Sequence, residues 1–134
     1  MLQRIVVDTN ALISRLLLPR SVPGKAVRQA IDAGQVLVSE ATLAELADVL
    51  ARSKFASYVS IEDRQQFIRL LGRVAEMVPI AHVIRACRDS KDDKFLEVAV
   101  NGAASVIITG DKDLLALNPF RKIAIVTPAQ YLLR

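Results

Sequence analysis

Short, wholly apolar runs recur along this chain, and between them apolar residues fall at helical spacing. Ile5-Val6-Val7, Val36-Leu37-Val38 and Val106-Ile107-Ile108 are such runs. A run with no polar alternation reads as a strand buried on both faces, the condition of a parallel sheet covered by helices. Between the runs, Leu43, Leu46, Ala47 and Leu50, and then Phe67, Leu70, Leu71, Val74 and Met77, follow the helical period. Strand and helix alternate almost throughout. The expected fold is therefore α/β, a three-layer α/β/α sandwich around a mainly parallel sheet of four to five strands, with residues 1–134 forming one domain.

Punctuation sets the element boundaries. Pro19 stops a first helix over about 11–18, Gly34 ends a second over about 25–33, and Ser39 offers an N-cap to the third. The segment 53–60 links the third and fourth helices, and its Phe55 and Tyr58 read as exposed contact residues. Val78-Pro79-Ile80 reads as a short edge strand, where proline is tolerated. A helix over about 92–101, a helical turn over 113–117, a last strand over 122–126 and a terminal helix opening at Thr127-Pro128 complete the expectation.

Carboxylates stand where two of the strands end. Asp8 follows Ile5-Val6-Val7, and Asp111, with Asp113 beyond it, follows Val106-Ile107-Ile108-Thr109-Gly110. Ligands of open parallel sheets bind beyond the strand carboxyl ends, so these acids are expected to converge there. Each also has a plainer reading as a helix N-cap, and Asp93, three residues after Ser90, mimics a capping box. Glu45, set among Leu43, Leu46 and Ala47, is harder to explain that way. Four carboxylates in one crevice repel unless a cation neutralises them, and hard divalent cations take oxygen ligands.

Lys and Arg number 18 against 14 Asp and Glu, a net charge of +4 that suits a basic rim around an acidic pocket and also serves plain solubility. Aromatic residues make up only 4% and Trp is absent, which argues against a base-stacking platform. The single cysteine, Cys87, permits no internal disulfide, and a first strand beginning within a few residues of Met1 leaves no room for a signal peptide. No stretch approaches a membrane span, so a cytoplasmic protein with no membrane partner is expected. The lone His82 reads as structural or without a role, because histidine-based acid–base chemistry usually needs a second general acid or base.

Taken in order, Val7-Asp8-Thr9-Asn10, Glu45, Asp92-Asp93-Lys94-Phe95-Leu96-Glu97-Val98-Ala99 and Thr109-Gly110-Asp111-Lys112-Asp113-Leu114 resemble the PIN-domain ribonucleases over essentially the whole chain. The nearest group is the VapC-like toxin components of bacterial toxin–antitoxin pairs. The resemblance implies a Mg²⁺ or Mn²⁺ dependent endoribonuclease with Asp8, Glu45, Asp93 and Asp111 as its acidic tetrad and Asp113 as an auxiliary metal ligand. Asp93 is preferred to Asp92 because it stands one helical turn before Glu97, as the family pattern has it. Asn10 matches the polar residue that orients the first Asp, and Thr109 the small hydroxyl residue before the last acid pair. The metal would activate water for attack on an RNA phosphodiester. A homodimer and a small antitoxin are the implied partners. Basic residues near the first crossover (Arg15, Arg20, Lys25, Arg28) and before the Asp93 helix (Arg85, Arg88, Lys91) are the candidate phosphate contacts. Two other classes stay open on the residues alone. A receiver-like phosphoacceptor module also gathers Asp at strand ends, though it wants an acid pair where Asp8 stands alone. A non-catalytic nucleic-acid-binding domain follows if every acid is a cap.

Overall fold

The structure, a computed structural model, describes residues 2–134. Its five strands are β1 (Gln3–Val7), β2 (Gly34–Val38), β3 (Glu76–Met77), β4 (Val106–Ile108) and β5 (Ala124–Val126). All pair in parallel, in the order β3-β2-β1-β4-β5. Seven α-helices join them: α1 (Thr9–Leu17), α2 (Val22–Ala33), α3 (Glu40–Leu50), α4 (Ile61–Val74), α5 (Asp93–Asn101), α6 (Lys112–Leu115) and α7 (Pro128–Leu132).

The strands' alternation divides the core in two. Ile5, Val7, Val36, Val106 and Ile108 face one layer, where they pack with Ala26, Val27, Leu46 and Leu71 from α2, α3 and α4. Val6, Leu37, Ile107 and Ile125 face the other, against Phe95, Leu96, Val98 and Ala99 of α5 and Leu114 of α6. Each fully buried Ile or Leu here contributes about 1.5–3 kcal/mol of burial free energy, which is why runs of three residues suffice as central strands. The result is a three-layer α/β/α sandwich.

Several boundaries differ from the expectation for physical reasons. Helix α2 starts at Val22 because Ser21 caps it, its side chain accepting from the Gly24 amide, with Pro23 in the first turn. Gly34 closes α2 in an extended conformation; a Cβ there would meet the Gln3 carbonyl oxygen at 2.9 Å, so close approach to the backbone of β1 is what calls for glycine. The edge strand is Glu76–Met77, just before the predicted Val78-Pro79-Ile80, although the Val78 amide still donates to Val38. Phe55 is buried in the α3–α4 layer, leaving only Tyr58 exposed, because the 3-10 turn Ser53–Phe55 swings its ring inward. The last strand begins at Ala124, after a tight turn in which Arg121 and Lys122 hold φ values of 48° and 69°.

Topology decides one rival. A receiver domain has strand order 2-1-3-4-5, whereas here β1 lies between β2 and β4. Strand order reverses between β1 and β4, and the crevice beyond such carboxyl ends is where ligands of open parallel sheets bind. Asp8 and Asp111 follow those two strands.

Candidate metal centre

Asp8 caps α1, its Oδ1 accepting from the Ala11 amide at 2.9 Å while Oδ2 accepts from the Thr109 hydroxyl at 2.6 Å. Thr109, fully buried at the end of β4, in turn accepts from the Asp111 amide at 3.0 Å. One hydroxyl thus joins the two strand ends. Asp111 caps α6, and its Oδ1 takes both the Asp113 and Leu114 amides, at 2.8 and 3.1 Å. The capping role therefore coexists with a site, because Asp111 Oδ2 has no hydrogen-bond partner among the described residues.

Asp92, Asp111 and Asp113 each present a carboxylate oxygen within 4.8 Å of the others. Oxygens octahedrally coordinated at about 2.0–2.1 Å around Mg²⁺ lie roughly 2.9 to 4.2 Å apart, so small side-chain rotations close this set on one hard cation. A cavity of about 140 Å³ lined by Asp8, Asn10, Glu45, Asp92, Phe95 and Asp111 adjoins it. That space is ample for an ion and its bound water. A broader groove of about 650 Å³ shares Asp8, Asn10 and Asp111 and adds Ser14, Lys112 and Asp113.

Charge crowding is visible in the acids' proton affinities. Partial burial, then the neighbouring Asp111, Asp89 and Glu45 carboxylates, push Asp92 up from 3.8 to about 6. Burial also raises Asp8, opposed by the hydrogen bonds from Thr109, Ala11 and Gly110. A bound cation would relieve both, and an all-oxygen donor set fits a hard divalent metal.

The remaining predicted residues fall into two groups. Glu45 reaches the cavity from α3, but both its oxygens are engaged, one by the Thr9 hydroxyl and one by Lys94 Nζ at 2.8 Å. Asp93 does not reach the cavity. Its Oδ1 accepts the amides of Ala86 and Cys87, at 3.1 and 2.7 Å, and it lines a separate depression with Arg85, Cys87 and Glu97. Of the two neighbours it is Asp92, the residue before α5, that stands with the acids of the cavity, where the sequence favours Asp93. Asn10 is exposed at the cavity wall, and the contacts holding Asp8 come from Thr109 and Ala11 where Asn10 was expected to supply them.

Of the basic residues, Arg15, Lys25 and Arg28 share a different depression with Asp32, to which Arg28 is paired at 3.0 Å. Arg20, Arg88 and Lys91 are exposed outside the cavity lining, and Arg85 faces the Asp93 depression. Sequence reasoning missed Thr9, Lys94 and Lys112. Thr9 and Lys94 adjoin named acids, which was the available signal.

The family profile for the PIN domain matches residues 4–113. The chain belongs to the PIN domain family. PIN domains are generally nucleases, and PIN nucleases typically bind divalent metals, as the acidic cluster here suits. The uncharacterized protein MJ1680 of Methanocaldococcus jannaschii is 32% identical over 121 residues, covering 89% of this chain and 77% of that protein. Two solved structures share the fold. VapBC2 from Rickettsia felis, bound to a DNA fragment from their promoter, matches with TM-score 0.63 at 10% identity, over 93% of this PIN chain and 98% of that one. PAE2754 from Pyrobaculum aerophilum matches with TM-score 0.62 at 16% identity, over 97% and 88%. Among the described residues of this PIN domain, no helix is long and apolar enough to cross a membrane.

Proposed function

We propose that this PIN domain is an endoribonuclease dependent on Mg²⁺ or Mn²⁺, and the toxin component of a toxin–antitoxin pair. The observation that carries the reading is the convergence of Asp92, Asp111 and Asp113 within 4.8 Å beside the buried Asp8. Those three carboxylates would hold the metal, with Asp8 and Glu45 closing the cavity. When bound, such an ion polarises a phosphate and acidifies water at neutral pH.

The chain's own residues supply the rest. Thr109 fixes Asp8 and, through the Asp111 amide, the second strand end, so the acids are preorganised across β1 and β4. Lys94 neutralises Glu45, which lowers the crowding of negative charge that a phosphodiester would otherwise meet. Lys112 is placed in the open groove to attract the phosphate backbone. Fold similarity to VapBC2 supports an antitoxin as partner, and the family resemblance would make a homodimer the accompanying assembly.

The test is to incubate single-stranded and structured RNA with the protein in Mg²⁺ or Mn²⁺, in EDTA, and with a folded Asp8→Asn variant. Cleavage is expected in the first condition alone. Activity that survives EDTA or the substitution would sink the proposal, and RNA retained without being cut would favour a binding module.

A further inference from the structure

We propose that Asp93 is a positioning residue, the first rung of a three-residue clamp on α5 that sets Asp92 in the metal centre. The inference rests on the functional reading above. Asp93, Glu97 and Asn101 recur every four residues and so share one face of α5. Each accepts backbone N–H groups from the irregular segment that runs beside the helix. Asp93 takes the amides of Ala86 and Cys87, Glu97 that of Ile84 at 3.1 Å, and Asn101 those of Ala81 and His82 at 3.0 and 2.9 Å. Asn101 also donates to the His82 carbonyl at 2.9 Å.

The order is antiparallel: higher helix numbers meet lower strap numbers. From Asp93 to Asn101 the helix rises about 12 Å. A segment of about six residues covers up to roughly 20 Å when fully extended, so the strap spans this helix face with length to spare and its path is set by the hydrogen bonds. Its five amides find no strand partner; side-chain oxygens take the place of a sheet ladder. Ile84, 4% exposed, is its apolar anchor in the second core.

The consequence lies at the clamp's upper end. Asp93 ties residues 86 and 87 to the start of α5, closing a short loop that carries Asp89, the 3-10 turn Ser90–Asp92 and Asp92 itself. Asp92 makes no capping hydrogen bond of its own, so the position of its carboxylate relative to Asp111 is set by how this loop is closed. A carboxylate used only as an acceptor is replaceable by an amide, because Asn keeps one acceptor oxygen. A metal ligand loses its charge in that change.

The experiment measures Mn²⁺ affinity by calorimetry and backbone hydrogen exchange on the full chain and on Asp93→Asn, Asp93→Ala and Asp92→Asn. Asp93→Asn is expected to keep Mn²⁺ affinity within about threefold and to keep the Ala86 and Cys87 amides protected. Asp93→Ala should expose those amides and weaken Mn²⁺ at least tenfold, while Asp92→Asn should weaken Mn²⁺ comparably with both amides still protected. Weakening by Asp93→Asn as severe as by Asp92→Asn would make Asp93 a ligand and overturn the proposal. So would Asp93→Ala that frees the amides yet leaves affinity unchanged. If the unmodified chain binds no Mn²⁺, the functional reading fails and the positioning role with it, and exchange at Ala86 and Cys87 then decides whether the clamp exists as a structural strap. A drop in melting temperature alone counts against positioning.

Discussion

Replacing Asp92 by Asn should stabilise the metal-free protein at alkaline pH while impairing its metal centre. The folded-state value near 6 lies above the ordinary 3.8, because burial and the Asp111, Asp89 and Glu45 carboxylates oppose ionisation. A group shifted upward favours folding fully below its unfolded value and loses that contribution as pH rises through the folded one. The shift corresponds to about 3 kcal/mol between protonation states, and because Asp92 is only partly buried, solvent screening reduces the stability effect to about 1 kcal/mol. In EDTA, Asp92→Asn should therefore raise the melting temperature by about 3–5 °C at pH 8, for a domain of this size, with the gain vanishing near pH 4. Asp92 makes no side-chain cap bond, so the substitution costs nothing there. Saturating Mn²⁺ should invert the order, since binding at 100 times Kd stabilises the unmodified chain by about 2.7 kcal/mol and the variant much less. A gain of equal size at pH 4 and pH 8, or a loss at pH 8, would refute the reasoning from charge crowding.

Other perturbations probe different links. Thr109→Val removes the buried hydroxyl shared by Asp8 and the Asp111 amide; it should cost about 1–3 kcal/mol in thermal unfolding, and Thr109→Ser should restore it. Leu96→Ala empties a fully buried site beneath α5 and should cost about 2–5 kcal/mol in denaturant titration. Lys122→Gly relieves a left-handed residue in the turn before β5 and should raise the denaturation midpoint by the equivalent of about 0.5–1 kcal/mol.

The sheet was legible because burial on both faces leaves a plain mark: Ile5-Val6-Val7 and Val106-Ile107-Ile108 admit no polar residue, and both are central strands. Asp8 and Asp111 were legible for a related reason, since the strand ends on either side of the topological switch fix where their side chains begin. Asp92 and Asp93 were not separable. Neighbouring residues at a helix start point in different directions, and which of them turns inward depends on the strap at 81–87, an irregular segment held by side-chain to backbone hydrogen bonds that hydrophobic patterning does not mark. The same holds for Phe55, whose burial follows from a 3-10 turn. Lys94 was quoted within a motif, but its partner Glu45 lies 49 positions away.

One divalent cation is expected among Asp92, Asp111 and Asp113. Anomalous diffraction from crystals of the protein grown with Mn²⁺ tests it most directly. A peak about 2.0–2.3 Å from oxygens of Asp92 and Asp111, absent from Asp92→Asn crystals, is the predicted result. Density for Mn²⁺ on Asp93, or none anywhere in the crevice at saturating Mn²⁺, would contradict it.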